Sequence, residues 1–103
     1  MRDCVEKRFQ ESEKALKQAE AEAFAALSRW DEDSKYAKLA NRRLKAANTV
    51  FTRYRDSQCA FAASLGGGAI GSALETGRLA CASELNDQRA RQLKRAVADL
   101  PPR

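Results

Sequence analysis

The chain has 103 residues, 19 Lys and Arg against 14 Asp and Glu, three cysteines and no histidine. That length is read as one domain, residues 1–103, with a modest core. The lack of histidine removes the commonest general base and metal ligand. Three cysteines with no Cys-x-x-Cys pair make a poor zinc site, and no stretch reaches the ~18 uncharged apolar residues of a membrane span. Neither metal, cofactor nor catalysis is expected.

Alanine is abundant and proline is confined to Pro101 and Pro102, which favours an all-α fold. Residues 4–30 are expected to form the first helix, because Val5, Phe9, Ser12, Leu16, Ala19, Ala23, Ala26 and Trp30 recur at steps of three and four. Asp31-Glu32-Asp33-Ser34 breaks the period, and Asp33 or Ser34 can cap the next helix. Residues 35–65 are expected to form the second. Its seam runs through Ala37, Ala40, Leu44, Ala47, Phe51, Tyr54, Gln58, Phe61 and Leu65. Tyr36, Leu39 and Val50 widen this apolar arc on one side, and Asn41, Asn48, Arg55 and Cys59 edge the other. An arc that wide suggests packing against two neighbours, so this helix is expected to be central.

Gly66-Gly67-Gly68 ends the second helix, and Gly71-Ser72 prolongs the weak region to about residue 72. A third helix to about residue 99 would bring Leu74, Arg78, Cys81, Leu85, Gln88, Gln92, Ala96 and Leu100 along or beside its inner face. Pro101-Pro102-Arg103 reads as a frayed end. The expected architecture is a long antiparallel helical hairpin plus a third helix, stapled by a disulfide.

Charge is unevenly spread. Residues 1–34 carry six basic and nine acidic side chains, net −3, residues 35–65 seven and one, net +6, and residues 66–103 six and four, net +2. The basic stripe of the second helix, with Lys35, Lys38, Arg42, Lys45 and Arg53, could touch nucleic acid. Its aromatics lie on the seam instead of among the lysines, so a solvated face is expected and no nucleic-acid partner. The glycine run has no Gly-Lys-Ser/Thr after it, and it is read as a tight turn, not a phosphate loop. Glu11 and Glu22 lie on an exposed face with nothing to raise either pKa, which argues against glycoside hydrolysis.

One stretch combines Phe51, Tyr54-Arg55-Asp56 and Cys59, then the glycines, then Cys81, Arg89 and Leu93. This pattern resembles the lysozyme inhibitor LprI-like N-terminal domain family of small exported bacterial domains. Members show an aromatic, usually Trp, then Tyr-Arg-Asp, Cys, a Gly-rich loop, a second Cys, and Arg then Leu. Here Phe51 replaces the Trp and Asn48 stands where Gln is common, while Cys4, Phe9 and Leu16 match the family's first helix. The resemblance implies a periplasmic or secreted binding protein, with Met1 replacing a removed signal peptide. It implies inhibition of, or immunity to, a lysozyme-type muramidase by steric binding without chemistry. Many such enzymes are strongly basic, so the acidic stretch from Glu11 to Asp33 is the surface best suited to meet one. The other reading is an envelope protein whose basic second helix binds anionic glycan or lipid headgroups.

A turn near residue 32 sets Cys4 opposite Cys59, and a turn near residue 70 sets Cys59 opposite Cys81. Both bridges are sterically plausible and only one can form. Cys59–Cys81 is preferred, because it closes the Gly-rich loop and corresponds to the family's most regular cysteine pair; Cys4 would then be free. Tyr54, Arg55, Asp56 and Arg89 are read as a structural network of arginines held by a carboxylate and a tyrosine hydroxyl. The competing reading makes them a recognition patch. On the structural reading, Arg89→Ala lowers the melting temperature and spares partner binding.

Overall fold

The computed structural model describes residues 2–68 and 71–103. Met1, read above as a start after leader removal, lies outside the described residues. So do Ala69 and Ile70, inside the expected weak stretch. The chain forms α1 (Arg2–Arg29), α2 (Ser34–Ser64) and α3 (Gly71–Val97), and no strand occurs among the described residues. Asp33 caps α2, its side chain accepting a hydrogen bond from the Lys35 backbone N–H at 3.0 Å, so one of the four orphan donors of a helix start is satisfied. Beyond Leu65 the chain turns with Gly67 at φ +60°, a conformation that costs glycine nothing.

The helices run up, down and up within a flat slab of 55 × 22 × 15 Å. Helices α1 and α3 are therefore parallel: Ser12 meets Asn86 and Ser28 meets Arg103, at nearly constant separations of 74 and 75 residues. Helix α2 is antiparallel to both, since Asn48 meets Arg89, Arg55 meets Asn86 and Cys59 meets Cys81.

The central element is α3, not α2. Helix α1 packs most closely on α3, and its contact with α2 is slight. The reason lies in side-chain size. Helix α1 buries Ser12, Leu16, Ala19, Ala23 and Leu27; α3 buries Leu79, Ala82, Ser83, Asn86, Ala90 and Leu93. Small residues facing one another let two backbones approach closely and gain dispersion along their length. Leu16, Ala19, Ala90 and Leu93 form the core, with Leu44 and Phe51 of α2 packed against it.

Two further expectations are corrected. The inner face of α3 is rotated from the expected one, leaving Gln88, Gln92 and Ala96 exposed. On α2 the inward side runs through Asn41, Leu44, Asn48, Phe51, Arg55 and Cys59, and its most buried residues are Arg55 and Cys59. Tyr36, Leu39, Val50, Tyr54, Phe61 and Leu65 point outward and are exposed, Val50 at 62 % and Phe61 at 58 %. Periodicity identifies an apolar arc but not which part of it receives a neighbour.

The C-terminus is also not frayed. The Asp31 N–H donates to the Pro101 carbonyl at 2.8 Å, and the Arg103 N–H donates to the Arg29 carbonyl at 2.8 Å. The Arg103 guanidinium reaches the Ser28 carbonyl at 2.6 Å. Pro101-Pro102-Arg103 thus closes over the open carbonyls at the end of α1, groups that a helix end must satisfy somewhere.

Candidate functional site

The Cys59–Cys81 bridge ties α2 to α3 across a Cα–Cα distance of 5.6 Å, and Cys4 is free and exposed. The bridge closes a loop of 22 residues around the glycine turn, which by chain entropy stabilises the fold by about 3 kcal/mol.

One helical turn from the bridge, Arg55 lies at the level where all three helices meet. Its Nε donates to Asp56 at 2.9 Å, and its Nη1 donates to Asn86 at 3.1 Å and Glu13 at 3.3 Å. Asn86, fully buried, passes the connection on: its Nδ2 donates to the Ser12 hydroxyl at 3.0 Å, which donates to the Phe9 carbonyl at 2.7 Å. The guanidinium also stands over the Phe9 ring, 5.9 Å from its centroid. A buried cation is tolerated only when paired and hydrogen-bonded; Arg55 has two carboxylates and an amide. Near the bridge on α3, Arg78 is held by Glu75, and this hydrogen bond raises the Arg78 pKa above its ordinary value.

Arg89 lies elsewhere on the α2–α3 contact and is held differently. Its Nη2 donates to Asn48 at 3.1 Å and its Nη1 to the exposed Gln92 at 3.1 Å. Its Nε is buried without a hydrogen-bond partner, and its guanidinium stands 5.9 Å from the centroid of Phe51. Among the described residues it pairs with no carboxylate. Beside it opens a groove of about 650 Å³ between α2 and α3, lined by Phe51, Tyr54 and Leu85 and by Arg89, Arg91 and Arg95, with no carboxylate in the lining.

The four residues singled out from the sequence therefore fall into two places. Arg55 and Asp56 share one network. Arg89 belongs to a second, and Tyr54 is exposed on the groove's edge, outside both. Glu13, Asn86 and Ser12 complete the Arg55 network, and sequence reasoning did not select them for it. Asn86 carried a signal: asparagine in mid-helix competes with the backbone for hydrogen bonds and needs a reason to be there.

A three-helix slab with one disulfide and arginines along one inter-helix contact defines a small all-α, disulfide-stapled domain. The chain matches the family described as lysozyme inhibitor LprI over residues 1–93, and it belongs to that family. The structure gives the family pattern a geometry: Phe51, Arg55 and Cys59, at steps of four, face the helix that carries Cys81, Arg89 and Leu93. No curated protein and no solved structure matches the chain. No helix among the described residues is long and apolar enough to cross a membrane, and no three metal-binding side chains gather among them.

Proposed function

We propose that this chain is a periplasmic or secreted protein that inhibits, or confers immunity to, a lysozyme-type muramidase by occupying its cleft, with no chemistry of its own. The observation that carries this reading is the family match over residues 1–93. A disulfide in so slender a fold supports an oxidising compartment outside the cytosol. The uncovered side of α2, from Tyr36 to Leu65, offers the apolar and aromatic surface that a protein interface needs at its centre. The test is the rate at which muramidases clear a peptidoglycan suspension, together with complex formation on a sizing column. A stoichiometric complex and falling activity support the reading; a panel of muramidases left active and unbound by excess protein sinks it.

A second reading has its own observation. Lys35, Lys38, Arg42, Lys45 and Arg53 are all exposed on α2, a surface suited to anionic glycan or lipid headgroups. Binding of that kind weakens steeply with salt, whereas an apolar interface weakens less.

A further inference from the structure

We propose that the α2–α3 groove is the docking site for a carboxylate side chain of the bound protein, received by Arg89. This rests on the inhibitor reading above and names the contact it would use.

The argument begins with a comparison of charge. Arg55 is neutralised inside the fold by Glu13 and Asp56. Arg89 carries the same charge, yet its two acceptors are the neutral amides of Asn48 and Gln92, and its Nε–H has none. Arg91 and Arg95 add two more cations to a groove that contains no anion. A concave surface lined by one sign of charge concentrates the opposite sign, and a guanidinium binds a carboxylate more strongly than an amide.

The surroundings specify the kind of ligand. Phe51, Tyr54 and Leu85 give the groove an apolar side, and the exposed Val50 and Phe61 continue it along α2. A free anion has no use for that surface, but a polypeptide presenting an acidic side chain does. Gln92 is exposed, so the carboxylate takes its place at Arg89 Nη1 as the amide turns out into water. Glycoside hydrolases offer the matching group, since a pair of carboxylates flanks the bond they cut. An arginine entering that pair meets a partner that the enzyme cannot remove without losing activity.

A double-mutant cycle tests this. Binding of the wild-type protein and Arg89→Gln is measured by calorimetry against a muramidase and against its variant with the cleft carboxylates changed to amides. Melting curves verify that each variant is folded, and the exposed Arg95→Gln repeats the measurement without disturbing packing. The expected result is that Arg89→Gln weakens binding to the unmodified enzyme about tenfold or more and to the amide variant hardly at all, with Arg95→Gln showing the same coupling in smaller measure. Equal losses against both enzymes, or no loss against either, overturn the docking site and leave the inhibitor reading standing. No binding by the wild-type protein removes both. A dimer in sedimentation velocity that Arg89→Gln dissociates assigns the groove to a second copy of this chain and likewise overturns the proposal.

Discussion

On one side of α3, Asn86, Ala90 and Leu93 meet Ser12, Leu16 and Ala19 of α1, in a contact made of small and aliphatic residues in which the Asn86 amide and the Ser12 hydroxyl are hydrogen-bonded. On the other side, Cys81, Leu85 and Arg89 meet α2 through a covalent bridge, an aromatic ring and an arginine, beside an open groove. The first contact is filled and the second is not. Burial and dispersion hold α1 to α3, alongside the Asn86–Ser12 hydrogen bond and the exposed pairs of Arg8 with Glu84 and Asp87. Helix α2 turns Tyr36, Leu39, Val50, Tyr54 and Phe61 to solvent and is held by the disulfide, by Arg55 and by the half-buried Leu44 and Phe51. Incomplete packing is tolerated where something other than packing fixes the geometry, and it leaves surface available to a partner.

Substitutions can break this contrast or sharpen it. Converting both Cys59 and Cys81 to serine should cost about 3 kcal/mol and loosen α2 first, with hydrogen exchange rising along residues 55–64 before it rises in α1. Uniform loss of protection across all three helices would mean that α2 has no separate dependence on the bridge. On the filled side, Leu16→Ala should cost about 2–3 kcal/mol, toward the low end of leucine truncations because half-buried Leu44 and Phe51 can relax into the space. Chemical denaturation measures it, and a cost under about 1 kcal/mol would deny that side its role as the core.

The arginines give the finest comparison. Arg55→Met should cost about 2 kcal/mol, since it leaves the buried Asn86 Oδ1 without its donor while Glu13 and Asp56, more exposed, regain water. Arg89→Gln should cost less, about 1 kcal/mol or below, because only neutral amides lose a bond and an unpaired buried N–H disappears with the guanidinium. The order of these two melting temperatures is the outcome to examine. If Arg89→Gln melts lower than Arg55→Met, Arg89 is a structural residue and the groove loses its claim. Lys38→Ala, on the solvated stripe, should stay within about 0.5 kcal/mol of the wild-type protein.

The number and type of elements were legible in the sequence because each helix carries its own signals. These are the apolar steps of three and four in α1, the aspartate cap before α2 and the glycine run after it. The Cys59–Cys81 bridge was legible in part: turn geometry allowed both Cys4–Cys59 and Cys59–Cys81, and closure of the glycine loop together with the family pattern favoured the pair that forms. The family pattern could also be read directly, as it is written in residue types. What tertiary structure alone decided was which faces meet. The broad apolar arc of α2 pointed to a central helix, yet close approach is set by small side chains, and those lie on α1 and α3. The split between Arg55 and Arg89 was hidden for the same reason. Both are arginines beside a helix contact, and only the residues opposite them, Glu13 and Asn86 for one and Asn48 for the other, determine whether the charge is neutralised inside the fold. Those neighbours come from other helices, at separations of 42, 31 and 41 residues, and no local pattern in a single sequence encodes them.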